Sequence, residues 1–135
     1  MATIKSYTDL EQTKKLAEIL PVESANMEYI LEQWIDEKTY RHKEGYCEIP
    51  VVKVDDDCPL QPITHPCWTL AALFGVLPSA IIRNDKRMFL TLEKAGAYNL
   101  YYKSPDRLDE LWETDFELID ACYKMILDLH ELKML

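Results

Sequence analysis

The sequence predicts an α+β fold in which helices pack on a small, mainly antiparallel sheet. Three observations lead to this prediction: segments with apolar residues at helical spacing, segments in which apolar and polar residues alternate, and a glycine between two of the alternating segments. The predicted centre is a buried helix at about 66–77, because Pro66 and Pro78 bracket ten uncharged positions, Cys67 to Val76. Proline is tolerated at the first position of a helix and cannot continue one, so we expect these prolines to mark the two ends.

Length, composition and charge set the first limits on function. A chain of 135 residues with 48% hydrophobic residues is typical of a single domain, here 1–135. The net charge of −9 argues against direct binding to nucleic acid or an anionic membrane, and on the same ground an acidic partner is not expected. There is no apolar signal core, and prolines interrupt the uncharged stretch 58–82, so we expect a cytoplasmic protein without a membrane span. In that compartment the four cysteines are expected to be free thiols.

The first element is predicted to be a helix from about Thr8 to Leu20. Thr8 and Glu11 have the spacing of a capping box, in which each side chain satisfies a terminal N–H of the helix. Leu16 and Leu20 belong to an apolar stripe at helical spacing, and Pro21 is expected to end the helix.

The segment 24–40 fits two structures. Its apolar residues recur at helical spacing, but Met27, Tyr29 and Leu31 also alternate with polar neighbours as in a strand. The pattern as a whole favours a helix. It is followed by a predicted polar loop at 41–45, a short strand within 46–54, and a proline-stiffened loop from 55 to the central helix.

After the central helix the sequence predicts strands. A strand begins at Ile81–Ile82, and residues 87–92 and 97–103 alternate apolar with polar side chains on either side of Gly96. Glycine supplies the positive φ that a tight turn needs, so these two segments are expected to form a hairpin. Residues 104–112 fit either a helical turn or an edge strand.

The last element is predicted to be a helix. Thr114 and Glu117 repeat the spacing of a capping box, and apolar residues keep helical spacing from Leu118 to Leu132. Acidic residues at the start and Lys133 near the end also match the helix dipole.

A reactive thiol is one candidate site. Cys67 falls at the second position of the predicted central helix, where the helix dipole favours a thiolate, and His65 lies two residues before it as a candidate base. However, cysteine is among the most buried residue types, this one begins an apolar run, and no third orienting group is evident. We therefore predict that Cys67 is a core residue, with a small thiol enzyme using Cys67 as the alternative.

Two metal sites are also conceivable and are not predicted. Cys58, His65 and Cys67 carry zinc-binding groups, but their spacing matches none of the usual zinc modules. The Asp55–Asp57 run follows a predicted strand, as magnesium ligands do, but the chain has only three glycines and no glycine-rich phosphate loop. We predict no catalytic, cofactor-binding or metal-binding residues and no cofactor.

Charged and aromatic residues suggest two kinds of surface. Seven acidic residues lie between Asp106 and Asp120, namely Asp106, Asp109, Glu110, Glu113, Asp115, Glu117 and Asp120. Such a surface is compatible with an acidic nucleic-acid mimic that inhibits a DNA-binding protein, although a solvated helix face is the simpler interpretation. The aromatic residues least clearly assigned to the core are Trp34, Tyr40, Tyr101 and Trp112, and exposed aromatic residues are enriched in partner surfaces.

Several segments together resemble a known family, the small acidic uncharacterised proteins of prophages and other mobile elements of gut bacteria. The matching segments cover most of the chain: Lys15-Leu16-Ala17 before Leu20-Pro21, Glu23-Ser24-Ala25-Asn26-Met27, Pro66-Cys67-Trp68-Thr69-Leu70-Ala71-Ala72-Leu73 ending at Leu77-Pro78, and Ile119-Asp120-Ala121-Cys122-Tyr123 running to Leu129-His130-Glu131-Leu132. The resemblance implies an extended segment at 27–31, and the insertion at 32–45 departs from the compact form of the family. It implies a genetic setting and no activity.

The functional prediction follows mainly from what the sequence lacks. With no phosphate loop, metal quartet or catalytic triad, we expect a non-enzymatic accessory or regulatory protein of a mobile element. Its expected partner is another protein, with no direct binding to nucleic acid or membrane.

Overall fold

A computed structural model describes residues 5–35, 38–47, 49–52, 64–106 and 110–135. It contains helices and antiparallel sheets, which confirms the α+β prediction. The chain divides into two compact units. The smaller unit is Asp9–Trp68, and the larger unit is Met1–Thr8 together with Thr69–Leu135. That 1–135 forms a single domain stays a prediction.

Helix α1 (Leu10–Ala17) opens the smaller unit and has a capping box at its first turn. The Gln12 N–H donates to the Asp9 carboxylate at 2.8 Å, and the Asp9 N–H donates to the Gln12 side-chain oxygen at 3.1 Å. The predicted helix is confirmed, but the predicted cap is wrong. Asp9 caps the helix because its carboxylate faces the free N–H groups, whereas Thr8 is fully buried.

Strand β1 (Met27–Ile35) organises the sheet of the smaller unit. Three strands pair antiparallel with it: β2 (His42–Tyr46) along residues 31–35, and β3 (Val51–Val52) and β4 (Thr64–Cys67) within residues 27–30. The strand expected for 27–31 is therefore confirmed, while the helix favoured over 24–40 and the loop at 41–45 are wrong. Helical spacing and strand alternation coexist in this segment, and pairing with three strands decides between them.

The predicted central helix begins later than its first proline. Helix α2 (Leu70–Val76) is capped by Thr69, whose hydroxyl accepts from the Ala72 N–H at 3.3 Å. Pro66 and Cys67 instead belong to β4, where Pro66 pairs with Glu28. A residue that precedes proline avoids the helical region, which keeps this segment extended until Thr69 provides a cap.

Trp68 connects β4 to α2 and is fully buried. Its indole N–H donates to the Ser24 hydroxyl at 2.9 Å, and that hydroxyl donates to the Pro21 carbonyl at 2.6 Å. Ser24 ends the short 3₁₀ turn Val22–Ser24 that precedes β1. The hydrogen bond therefore ties the end of the smaller unit to the start of its main strand.

The larger unit contains an antiparallel sheet whose strands follow one another in chain order. They are β5 (Ala80–Arg83), β6 (Lys86–Ala95), β7 (Ala97–Lys103) and β8 (Glu110–Asp115). The predicted hairpin at Gly96, with φ of 76°, is confirmed, and β8 is the edge-strand alternative for 104–112. Asn84 and Asp85 both have positive φ in the two-residue turn between β5 and β6, as a type I′ turn requires.

Helix α3 (Leu118–Glu131) packs against α2, β7 and β8. The helix is confirmed, but its predicted capping box is wrong, because Thr114 lies in β8 and the Glu117 side chain does not cap the helix. The Glu117 carboxylate instead accepts from the Lys5 backbone N–H at 3.3 Å. Within the described residues, no helix is long and apolar enough to cross a membrane.

Candidate interaction face

The sheet of the larger unit has one buried face and one open face. Met88, Leu100 and Tyr102 point to the buried face and are fully inaccessible to solvent. Because side chains alternate along a strand, their neighbours in sequence point to the opposite face. We call that opposite surface the outer face and define it by the following residues: Ile82, Arg87, Phe89, Tyr101, Lys103 and Trp112.

Strand register places the aromatic residues of the outer face side by side. Tyr101 lies opposite Trp112 across β7 and β8, and their rings are stacked with centroids 6.2 Å apart at an interplanar angle of 18°. Phe89 lies opposite Lys103 across β6 and β7. Adjacent cross-strand pairs of this type stabilise a sheet and also present one continuous surface.

Two cations of the outer face lie over its aromatic rings. The Lys103 ammonium is 4.0 Å from the centroid of the Tyr101 ring, and the Arg87 guanidinium is 5.4 Å from the centroid of the Phe89 ring. Cation–π contacts at exposed sites contribute about 0.5–1 kcal/mol each, so these side chains are partly oriented before any partner binds. Glu93 and Glu110 share this face, so its local charge is mixed.

The outer face leaves large apolar side chains open to solvent. Ile82 is 72% exposed, Trp112 is 51% exposed and Phe89 is 46% exposed. A single exposed apolar residue is ordinary, but several on adjacent strands indicate an interaction site. Trp, Tyr and Arg are also the residue types that most often dominate binding energy at protein interfaces.

Sequence reasoning found only part of this face. Tyr101 and Trp112 were among the aromatic residues not assigned to the core, whereas Arg87, Phe89 and Lys103 were missed. The signal for them is the alternation within 87–92 and 97–103, where the residues between the core positions are aromatic or basic. Tyr40, also singled out, is 85% exposed in the smaller unit. Trp34 lies in β1.

Apart from the outer face, a cluster of charged residues lies between β8 and α3. Burial, a hydrogen bond with Asp128 and the charge of that carboxylate raise the pKa of Glu113 to about 7. Burial also raises the pKa of Asp115, but hydrogen bonds from Lys124 and from the Glu117 N–H outweigh it and lower that pKa overall. The Lys124 ammonium lies 2.9 Å from the Asp115 carboxylate. We therefore expect the packing of α3 on β8 to depend on pH.

The candidate thiol, Cys67, does not face solvent. Cys67, the last residue of β4, is fully buried, and His65 contacts the Tyr46 ring edge-on with centroids 5.7 Å apart. Burial raises the pKa of Cys122 to about 12, which keeps that thiol protonated. Cys47, Cys67 and Cys122 form no disulfide within the described part of the chain, and Cys58 lies outside it.

No metal-binding cluster is present among the described residues. Cys58, which the zinc hypothesis requires, and the Asp55–Asp57 run lie outside them.

The described residues of the acidic stretch do not form one surface. Asp106 lies 2.8 Å from the Lys86 ammonium, and Asp120 lies 2.7 Å from the Lys5 ammonium. Glu113 and Asp115 point toward α3, while Glu110 is exposed on the outer face; Asp109 lies outside the described residues. Because a mimic of a phosphate backbone needs its charges on one continuous surface, this distribution gives the mimic hypothesis no support.

No protein-family model, curated protein or solved structure matches this chain. By its fold and its candidate site, the chain is an α+β protein with an exposed sheet face that carries aromatic and cationic side chains.

Proposed function

We propose that this chain is a non-enzymatic accessory or regulatory protein of a mobile element, that it acts in the cytoplasm, and that it binds another protein through the outer face. The single observation that carries the binding proposal is the stacked pair of Tyr101 and half-exposed Trp112 on an open sheet. Burying such a pair removes a large aromatic area from water, and each ring keeps a polar atom for a hydrogen bond. The mobile-element setting rests on the family resemblance alone.

Electrostatics favour a protein over nucleic acid as the partner. Net charge on the chain is −9, and the outer face carries Glu93 and Glu110 beside its two cations. Nonspecific nucleic-acid binding depends on clustered cations that release counterions from phosphates, and this face does not concentrate them. Aromatic residues with flanking mixed charges suit the core and rim of a protein interface.

The test is affinity capture from a nuclease-treated lysate of the native host, with three baits. The wild-type chain is compared with Trp112→Ala and with the control Phe116→Ser, which removes an aromatic residue that is 82% exposed outside the outer face. We expect Trp112→Ala to lose the captured protein and Phe116→Ser to retain it, because deleting a central aromatic anchor typically weakens binding by about 2 kcal/mol or more.

Circular dichroism must show that both variants keep the wild-type secondary structure. Capture by Trp112→Ala at the wild-type level contradicts the proposed face. Capture that is seen only when the nuclease treatment is omitted contradicts the proposed class of partner. The genetic setting is tested separately by sequencing the flanks of the gene in its host, and a location outside any mobile element contradicts that part.

A further inference from the structure

The two edges of the sheet in the larger unit differ in charge. Edge strand β8 carries Glu110, Glu113 and Asp115, whereas β5 reads Ala-Ile-Ile-Arg and has no acidic residue. Proteins commonly protect exposed strand edges with charges, because unpaired backbone groups accept another strand. Edge β5 therefore lacks the acidic protection that β8 has.

Register shows which backbone groups of β5 point outward. The Leu90 N–H donates to the Ser79 carbonyl at 3.0 Å, so Ser79 and Leu90 are a hydrogen-bonded pair. Such pairs alternate along an antiparallel ladder, which makes Ile81 and Arg83 the next residues bonded to β6. The N–H and C=O groups of Ala80 and Ile82 consequently point away from β6, and within the described residues they have no hydrogen-bond partner.

A groove of about 480 Å³ lies beside this edge. Pro78, which precedes β5 and lines the groove, is held in place because the Tyr102 hydroxyl donates to the Pro78 carbonyl at 2.6 Å. Arg87 is the only charged residue of its lining, and Ile82 is 72% exposed. The lining consists of Pro78, Ala80, Ile81, Ile82, Arg87 and Met134.

We propose that β5 accepts an extended segment of the partner protein as a fifth strand, and that this segment carries carboxylates between its apolar residues. The inference rests on the proposed function and names the binding mode. Backbone hydrogen bonds to Ala80 and Ile82 provide affinity, the apolar side chains of the added strand lie beside Ile81 in the groove, and its carboxylates lie on the outer face.

Charge selects the occupant. Arg87 lines the groove and Arg83 ends β5, and neither arginine has a carboxylate partner in the described part of the chain. Arg87 lies opposite Ile82 and shares its face, whereas Arg83 lies on the other face with Ile81. A carboxylate on the outer face of the added strand therefore pairs with Arg87 through charge-assisted hydrogen bonds. A second copy of this chain, paired through its own β5, offers Arg87 no carboxylate from that strand, because β5 reads Ala-Ile-Ile-Arg.

The test uses the full chain and a labelled, capped peptide of about eight residues, a common strand length, that alternates valine with glutamate. Fluorescence anisotropy measures its binding to the wild-type chain and to Ile82→Pro. Proline removes the outward N–H without breaking the ladder to β6, so we expect binding about tenfold weaker or worse. The matched control Ile82→Thr keeps the N–H and is expected to bind within about threefold of wild type.

Two altered peptides complete the design. N-methylation of alternate backbone amides abolishes strand pairing, and replacing glutamate by lysine reverses the charge; both are expected to weaken binding about tenfold or more. Thermal unfolding checks that each protein variant is folded.

Three results overturn the proposal: no saturable binding of the valine–glutamate peptide up to about 1 mM, equal binding by folded Ile82→Pro, or a concentration-dependent dimer that Ile82→Pro disrupts. If any of these occurs while Trp112→Ala still loses the captured protein, the edge proposal alone fails. If Trp112→Ala also captures the partner at the wild-type level, the proposed binding through the outer face is contradicted as well.

Discussion

Trp68 gives the sharpest quantitative prediction for the fold. Its side chain is fully buried, and truncation to alanine removes roughly 150–200 Å² of buried area. At about 25 cal/mol per Å² of buried area, the free energy of unfolding is predicted to fall by about 4–5 kcal/mol. Deleting a buried aromatic side chain typically costs about 3–5 kcal/mol, so the two figures agree. Total stabilities are about 5–15 kcal/mol, so Trp68→Ala is expected to remove a large fraction of the free energy of unfolding.

The hydrogen bond to Ser24 can be separated from packing by a double-mutant cycle. Ser24→Ala removes the hydroxyl that accepts from the buried Trp68 indole N–H, and we expect the free energy of unfolding to fall by about 1–2 kcal/mol. In the Trp68→Phe background, which has no N–H to satisfy, Ser24→Ala is expected to change stability by under about 0.5 kcal/mol. The predicted coupling energy is therefore about 1 kcal/mol.

Urea unfolding followed by circular dichroism measures all five proteins, namely the four of the cycle and Trp68→Ala, because tryptophan fluorescence changes with the mutation itself. The Trp68→Ala variant should unfold at a much lower urea concentration with a similar slope. A loss under about 1 kcal/mol for Trp68→Ala refutes the burial argument. Equal effects of Ser24→Ala in both backgrounds refute the hydrogen bond.

Two further predictions concern titration and the thiol. Glu113 has a pKa of about 7 in the folded chain against an ordinary 4.5, so the folded state binds more protons between these values and stability falls as pH rises. After allowance for solvent screening, we expect the free energy of unfolding to fall by roughly 1–2 kcal/mol between about pH 5 and pH 7. This fall should be absent in Glu113→Gln, and equal urea midpoints for the wild type at both pH values contradict the prediction. Cys67 should resist iodoacetamide in the folded chain and react once unfolded, as seen by mass spectrometry, and rapid labelling without unfolding would revive the thiol-enzyme alternative.

Local signals in the sequence predicted elements well where they agreed with one another. Gly96 lies between two alternating segments, so turn chemistry and strand pattern pointed to the same hairpin, and the structure has it. The final helix keeps apolar spacing from Leu118 to Leu129 and forms over that range. In both cases the deciding contacts lie within one element or between adjacent ones.

Prediction failed where partners distant in sequence decide the structure. The 27–35 segment is compatible with a helix by spacing, and its strand pairing comes from residues as far away as Cys67. The predicted helix starts were wrong for a related reason. Thr8, Thr114 and Pro66 each fit a local rule for a helix start, but burial or strand pairing removes each from a helix terminus.

The candidate site was harder to predict than the fold because it depends on register. Phe89 and Lys103 are fourteen positions apart and become neighbours only through β6–β7 pairing. A shift of one residue would send Phe89 to the buried face and Met88 to solvent. Composition cannot reveal this face, since the same residues in another register would form an ordinary core.

Register also resolves the conflict between the net charge of the chain and the acidic segment proposed as its partner. A charge of −9 led us to expect no acidic partner, but net charge is a sum over the whole surface. Two carboxylates, Glu113 and Asp115, lie between β8 and α3, and Lys124 compensates one of them. Arg83 in edge strand β5 and Arg87 in the neighbouring β6 have no such partners among the described residues. Since exposed charges are screened over about 10 Å at 0.1 M salt, carboxylates of a strand added to β5 respond mainly to Arg87 on the same face, and binding should weaken as salt increases.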